Sequence, residues 1–234
     1  MFTHSIPALF SREETREIVR LADDAQAAAG GLVGGLQHND IRRAQIAWLD
    51  DTGSAAWVME RIVSGVATAN REHFDFAITE FGERLQVATY DESNAGHYDW
   101  HSDIGDGPIA RRRKLTIVVQ LTEPADYQGG ELQINLGSAV LSAERGIGDA
   151  TLFASFMLHR VAPVSSGRRK SLTCWCHGPQ FRSSRAPPLL APFYWKAVSA
   201  KERSFLECSR SRGIARRISM LRMPMRRCCA TCRL

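Results

Sequence analysis

Residues 85–101 read LQVATYDESNAGHYDWH, two short runs rich in apolar, β-branched and aromatic residues on either side of turn-forming residues. Similar runs recur after Phe74, and glycine-rich turns such as Gly129-Gly130 separate them. Short runs at this spacing are typical of antiparallel strands in a sandwich or barrel. The sequence therefore predicts a mainly β fold. We expect strands at Leu85–Tyr90, His97–His101, Leu115–Leu121, Gly130–Leu136, Ala150–Phe153, His159–Val161 and Arg169–Cys176.

The residues before Phe74 carry a different pattern, that of flanking α-helices. Ser11 can cap a helix and Glu14 completes a capping box, and apolar positions continue this helix toward Ala29. A second amphipathic helix is predicted from Ala55 to about Asn70. Between the two, residues 41–48 fit a strand, although a helix is not excluded. We expect both helices to serve as scaffold for the β domain.

Length and charge indicate one folded domain followed by a tail of different character. The chain has 234 residues, 44% hydrophobic and 24% charged, which is enough to bury a sizeable core. Residues 183–234 hold 12 of the 30 Lys and Arg against two acids, so this tail carries +10 and residues 1–182 carry −5. The negative body argues against a nucleic-acid partner despite the net charge of +5. We predict a domain at 1–182 and a basic, Cys-rich tail at 183–234, interpreted as disordered.

The cysteines and the lack of long apolar runs indicate the cellular compartment. Cys174 and Cys176 alternate on a predicted strand, where neighbouring thiols rarely reach disulfide geometry. We therefore expect them to be reduced. No run of 18 apolar residues occurs, and the first residues lack a signal-peptide pattern. A soluble, cytoplasmic protein without a membrane segment is expected.

Three residues form a candidate metal site. His101 and Asp103 lie at the end of a predicted strand, where a period of two places both side chains on one face. His159 lies in another predicted strand. Two histidines and one carboxylate form the facial triad that suits Fe(II) and leaves coordination positions open. His97 shares the face of His101 but is interpreted as a surface or structural histidine, and Trp100, on the opposite face, is expected in the core.

A candidate anion site follows ten residues after His159. Arg169, Ser171 and Thr173 share one face of the last predicted strand. A guanidinium there can hold a carboxylate through two parallel charge-assisted hydrogen bonds, and the Ser171 hydroxyl can add a third donor. A dicarboxylic acid fits such a site, whereas without the metal ligands upstream a solvated arginine would be the better interpretation.

Together these elements resemble the prolyl-4-hydroxylase-like branch of the Fe(II)/2-oxoglutarate dioxygenases. Their order, spacing and flanking residues agree over roughly residues 8–182, and the four elements His101, Asp103, His159 and Arg169 coincide. The motifs that carry the resemblance are LQVATY at 85–90, GHYDWHSD at 96–103, YQGGEL at 127–132, HRVAPV at 159–164 and GRRKS at 167–171.

The resemblance implies a double-stranded β-helix (jelly roll) with flanking N-terminal helices, so that residues 1–182 would form the dioxygenase domain. It further implies Fe(II) bound by His101, Asp103 and His159, and 2-oxoglutarate as cosubstrate. The C5 carboxylate of 2-oxoglutarate would pair with Arg169, with Ser171 as the additional donor.

The activity implied by the resemblance is hydroxylation of an unactivated C–H bond by O2, coupled to conversion of 2-oxoglutarate to succinate and CO2. Ascorbate would act as reductant. Tyr90 and Tyr98 match tyrosines that line the cosubstrate or substrate pocket of such enzymes, and ordinary strand aromatics are the alternative for both. The substrate would be a prolyl residue, an amino acid or a related small molecule.

Three alternatives remain open. A nucleic-acid demethylase of the same superfamily typically carries a second arginine six residues after the cosubstrate arginine, a position that Trp175 occupies here. A non-catalytic jelly-roll binding module and a cupin-type oxygenase that needs no 2-oxoglutarate are the others. The oligomeric state is also left open.

Overall fold

A computed structural model describes residues 3–25, 28–29 and 40–181 of the chain; the predicted tail, 183–234, lies outside the described residues, and its boundary stays a prediction. Two helices precede the main strands, α1 (Arg12–Asp24) and α2 (Ala56–Ala69). No helix in the described ranges is long and apolar enough to cross a membrane. The predicted capping box is present, because the Glu14 N–H donates to the Ser11 hydroxyl at 3.2 Å and the Ser11 N–H donates to the Glu14 carboxylate at 2.8 Å.

Apart from a π-helical segment at Asn70–Phe74 and short 3-10 helices, the other regular structure of the described residues is antiparallel strands, and all seven predicted strands are found among them. Their bounds are β1 (Thr3–Ile6), β2 (Ala28–Ala29), β3 (Arg42–Arg43), β4 (Gln45–Leu49), β5 (Leu85–Asp91), β6 (His97–His101), β7 (Arg113–Gln120), β8 (Tyr127–Gly129), β9 (Leu132–Asn135), β10 (Val140–Ser142), β11 (Ala150–Ala154), β12 (His159–Val161) and β13 (Val164–His177). They form two sheets. The larger has the order β1-β11-β7-β13-β5-β4-β2, with β8 paired to β13, and the smaller has the order β10-β9-β12-β6-β3.

Several predicted boundaries were wrong; the last strand, for example, begins at Val164 rather than at Arg169. Helix α1 stops at Asp24 rather than near Ala29, and Ala25 is already extended. The two residues of β2 instead pair with β4, so sheet pairing overrides the helical preference of alanine. The strand predicted to start at Gly130 starts at Leu132, because Gly129 and Gly130 both adopt positive φ (71° and 67°) and end the preceding strand in a turn.

Alternation along β7 explains where a site can form. Leu115, Ile117 and Val119 pack into the core that the larger sheet shares with the two helices. Val118, which points the other way, packs into a second core with Phe153 and residues of the smaller sheet. The inner face of the larger sheet therefore faces the smaller sheet, and polar side chains on that face lie between the two sheets.

Cys174 and Cys176 lie on the helix-facing side of β13 and are buried free thiols, as the alternation predicted. Burial raises the pKa of the Cys174 thiol to about 12. Trp100, in contrast, is half-buried rather than in the core, and the Arg160 guanidinium lies 4.8 Å from the centre of its ring. The core prediction failed because the face of β6 opposite His101 points away from the larger sheet.

Candidate active site

His101, Asp103 and His159 come together between the two sheets. His159 on β12 pairs directly with His101 on β6. The Asp103 N–H donates to the Ser155 carbonyl at 2.9 Å, which fixes the residues after β6 against the end of β11. One ligand atom from each of the three side chains lies within 4.8 Å of the others. Residues distant in sequence thus form one cluster of two imidazoles and a carboxylate.

Both histidines direct their Nε2 atom toward this cluster. The Nδ1 atom of His101 lies 2.7 Å from the Asp99 carbonyl oxygen, and that of His159 lies 3.0 Å from the Met157 carbonyl oxygen. Because a carbonyl only accepts hydrogen bonds, each Nδ1 carries the proton. The Nε2 atoms lie 3.8 Å (His101) and 3.5 Å (His159) from carboxylate oxygens of Asp103. Burial and the neighbouring His159 lower the pKa of His101 to about 3, so its ring is in the neutral form that binds metals.

The Asp103 carboxylate is ionised in a buried position. Burial alone would favour the neutral acid. The pKa of Asp103 nevertheless lies below its usual value, and the Arg113 guanidinium and the Thr116 hydroxyl both act in this direction. Buried charges in proteins are paired or coordinate metals. The donor set and its protonation states therefore fit a divalent cation such as Fe(II).

Arg169 on β13 is a fully buried cation, with 0% of its surface exposed. Its Nη2 donates to the Gln120 side-chain oxygen at 3.0 Å and its Nη1 to the Ser171 hydroxyl at 3.3 Å. Within residues 3–25, 28–29 and 40–181 no carboxylate pairs with it, and its Nε–H has no hydrogen-bond partner. Burying an unpaired charge is costly, so the guanidinium needs an anion. Its planar fork matches a carboxylate such as that of 2-oxoglutarate.

Tyr90 and Tyr98 both line the cavity beside these residues. The guanidinium carbon of Arg169 lies 5.6 Å from the centre of the Tyr90 ring. The Tyr98 ring stacks on His101 with centroids 3.5 Å apart, and the Arg42 guanidinium lies 4.5 Å from the same ring. Burial raises the pKa of the Tyr98 hydroxyl to about 12, so it remains a donor at neutral pH. Tyr90 therefore lies beside Arg169, whereas Tyr98 lies beside His101 in the histidine cluster.

His97 does not line this cavity. Its Nδ1 lies 2.9 Å from the Ala95 carbonyl oxygen and its Nε2 lies 3.3 Å from the Asp40 carbonyl oxygen. These contacts hold the strand ends together, as expected of a structural histidine.

The cavity has a volume of about 180 Å³, and several of the residues that line it were not identified from the sequence. Arg42 on β3 donates to the Gln86 side-chain oxygen at 2.7 Å. Arg113 donates to Glu83 at 2.9 Å and lies 4.1 Å from the centre of the Trp175 ring. The other lining residues are Trp48, Thr116, Val118, Leu132, Val161, Ser171 and Thr173.

One sequence signal could have identified part of this wall. Gln86 and Thr116 line the cavity and interrupt otherwise apolar strands, and both are buried. Because buried polar side chains need partners, such interruptions point to a polar interior between sheets. Arg42 gave no such signal, since its partner lies 44 residues away.

Comparison with known proteins agrees with this geometry. Residues 85–177 match the model of the 2OG-Fe(II) oxygenase superfamily. A "PKHD-type hydroxylase" of Colwellia psychrerythraea is 28% identical over 180 residues, which cover 75% of this chain and 78% of the relative. A prolyl hydroxylase of Trichoplax adhaerens, solved with a hypoxia inducible factor peptide fragment, superposes with a TM-score of 0.64 at 21% identity, covering 75% of this chain and 83% of that one. A Pseudomonas putida prolyl-4-hydroxylase gives 0.59 at 21% identity, covering 75% and 91%.

The two packed antiparallel sheets are accordingly the predicted jelly roll with flanking helices, and the matched region, 85–177, includes the His-Asp-His cluster and Arg169. The chain is therefore similar to the 2OG-Fe(II) oxygenase superfamily over residues 85–177 and resembles its prolyl-4-hydroxylase-like members, which supports an oxygenase that uses Fe(II) and 2-oxoglutarate.

Proposed function

We propose that this oxygenase hydroxylates an unactivated C–H bond of a prolyl residue, an amino acid or a related small substrate, and releases succinate and CO2. The proposal is carried by a His-Asp-His cluster that lines one cavity and by a buried arginine that contacts two residues of the cavity wall, Ser171 and Tyr90. This arginine has no acidic partner among the described residues. Neither feature alone would select this reaction. Together they meet the needs of a metal and of a dicarboxylic cosubstrate.

His101, Asp103 and His159 are the proposed metal ligands. Three protein ligands leave coordination positions open for the cosubstrate and O2, and no further side chain is needed as a ligand. The bound metal would supply the activation of O2 that drives both decarboxylation and C–H oxidation. The chain itself contributes two imidazoles, fixed by their Nδ1 hydrogen bonds, and an ionised carboxylate.

Arg169 and Ser171 are the proposed partners of the C5 carboxylate of 2-oxoglutarate, and the Tyr90 ring lies beside them. The buried Arg169 is oriented by Gln120 before any ligand binds, so little side-chain entropy is lost on binding. Holding the distant carboxylate directs the other end of the cosubstrate toward the histidine cluster.

The cavity wall supports a substrate with an apolar ring and a carbonyl group. Trp48, Trp175 and Tyr98 supply aromatic surface. The Trp175 indole N–H is buried and has no hydrogen-bond partner in the described part of the chain, so it is available to a carbonyl acceptor. A prolyl residue in a peptide combines both features. The names of the hydroxylase relative and of the two superposed prolyl hydroxylases agree with this class.

The decisive experiment is a substrate screen with the full chain, Fe(II), 2-oxoglutarate and O2. Prolyl peptides, free amino acids and small metabolites are each tested for succinate formation and for a product with the mass of one added oxygen atom. We expect coupled succinate and product with one class, and with prolyl peptides first. Asp103→Ala should abolish both, whereas Asp126→Ala, an exposed aspartate in a turn, should retain both.

Two results would contradict the proposal. Hydroxylation without 2-oxoglutarate would indicate the cupin-type alternative. Activity confined to methylated nucleic acid would indicate the demethylase alternative, despite the tryptophan at position 175.

A further inference from the structure

A chain of buried hydroxyl groups leads from β11 to the Asp103 carboxylate. The Thr116 hydroxyl on β7 donates to the Asp103 Oδ2 at 2.6 Å. The Thr116 and Ser155 hydroxyl oxygens lie 3.0 Å apart. Both hydroxyl-bearing residues are fully buried. Three residues from different segments are therefore linked by two hydrogen bonds, and two of them, Thr116 and Asp103, also line the cavity.

The direction of this chain follows from the protons available. An ionised carboxylate only accepts hydrogen bonds, so the single Thr116 proton points to Asp103. The Ser155 hydroxyl must then donate to Thr116. Each hydrogen bond polarises the next, which strengthens the contact made to the carboxylate. The Ser155 carbonyl meanwhile accepts from the Asp103 N–H, so Ser155 fixes both the backbone and, through Thr116, the side chain of Asp103.

This arrangement distinguishes the two carboxylate oxygens. The Asp103 Oδ2 accepts the hydrogen bond from the Thr116 hydroxyl and lies 3.5 Å from the His159 Nε2. The other oxygen, Oδ1, lies 3.8 Å from the His101 Nε2. A hydroxyl bound to one oxygen sets the rotation of the carboxylate about its Cβ–Cγ bond. The rotation decides whether an oxygen lone pair faces the space between the two imidazoles.

We propose that Thr116, supported by Ser155, is the positioning residue that holds Asp103 in the orientation for metal binding. The inference rests on the proposed metal ligands and extends them to a residue that contacts no metal. Partners of this kind outside the ligand shell typically contribute 10- to 100-fold in metal affinity. A loss of about that size is expected when the Thr116 hydroxyl is removed.

The test measures Mn(II) binding alone, by the electron paramagnetic resonance signal of free Mn(II), with the full metal-free chain and no cosubstrate. Thr116→Val removes the hydroxyl at nearly constant shape and should weaken binding by about 10- to 100-fold. Thr116→Ser keeps the hydroxyl and should restore affinity to near that of the unmodified chain. Thr151→Val is the matched control, because Thr151 is a buried threonine on β11 whose backbone pairs with Val118 rather than with Thr116.

The outcomes separate this inference from the proposed function. Wild-type chain that binds no Mn(II), or Asp103→Ala that binds it as tightly as wild type, overturns the metal site itself. Tight binding by wild type with equal affinity for Thr116→Val overturns only the role of Thr116. Equal losses in Thr116→Val and Thr116→Ser would also overturn it, because a packing defect would then explain the effect. Should Thr116→Val fail to fold, Ser155→Ala replaces it, and an unchanged affinity there counts against the inference.

Discussion

Replacing Arg169 by methionine tests the cosubstrate site most directly. Methionine keeps an unbranched side chain of similar length but removes the guanidinium, which is fully buried and has no acidic partner among the described residues. The cosubstrate carboxylate would then enter a closed site without its cation. Arg168→Met is the matched control, because Arg168 is exposed and pairs with Asp91 at 2.6 Å on the outside of the same strand.

The expected magnitude follows from the burial of Arg169. Truncating one partner of a buried, hydrogen-bonded charge pair costs about 2–5 kcal/mol. Since about 1.4 kcal/mol corresponds to tenfold in affinity, the dissociation constant of 2-oxoglutarate should rise by about 30-fold to several thousand-fold. Arg168→Met should leave this constant unchanged, because an exposed ion pair contributes little.

Isothermal titration of 2-oxoglutarate into the Mn(II)-loaded chain measures the effect. Mn(II) affinity without cosubstrate should stay constant in Arg169→Met, since Arg169 belongs to a separate group of contacts with Gln120 and Ser171. An unchanged 2-oxoglutarate affinity in Arg169→Met would refute the assignment of Arg169. Activity retained by this variant would favour the cupin-type alternative.

Two further predictions concern the framework. Gly129→Ala should lower the free energy of unfolding in urea by more than the roughly 1–2 kcal/mol of left-handed backbone strain, because a Cβ there would overlap the Pro163 carbonyl. Gly137 is also at positive φ but faces open space, so Gly137→Ala should lower the free energy of unfolding by the strain energy alone. Equal losses in the two variants would contradict the close packing at Gly129. Cys174 and Cys176 should resist iodoacetamide at pH 8 until denaturant is added, because burial raises both thiol pKa values and leaves almost no thiolate. Peptide mass spectrometry measures this, and rapid native alkylation would contradict it.

Much of the fold and of the candidate site could be predicted because the signals are local. Strand alternation places His101 and Asp103 near each other, and the Ser11-Glu14 pair defines a helix start by itself. The end of α1 was missed because pairing between β2 and β4 decides it, and such pairing has no local signature. Ascorbate as reductant and the cytoplasmic location stay predictions.

The substrate side of the cavity was largely missed for the same reason. In the sequence, Arg42 lies in a segment that fits either a strand or a helix, and Trp175 is informative only because it occupies the position where a demethylase typically has an arginine. Their positions depend on how β3 pairs with β6 and how β13 pairs with β7. Thr116 looks like an ordinary strand threonine until the fold brings Asp103 and Ser155 to it. Long-range sheet register, rather than residue type, determines this part of the site.

Strand β13 has a consequence for how the enzyme acquires its activity. Its inner face carries Arg169 and Ser171, its other face carries core residues such as Leu172 and Cys174, and its partners β5 and β7 lie far earlier in the chain. A slip of one residue would exchange the two faces, so the proposed cosubstrate site and the core depend on the same register. Such distant pairings form late and cooperatively. If Arg169 and Ser171 bind 2-oxoglutarate as proposed, a chain in which β13 is not yet paired should bind it weakly, and affinity for 2-oxoglutarate should then report complete folding.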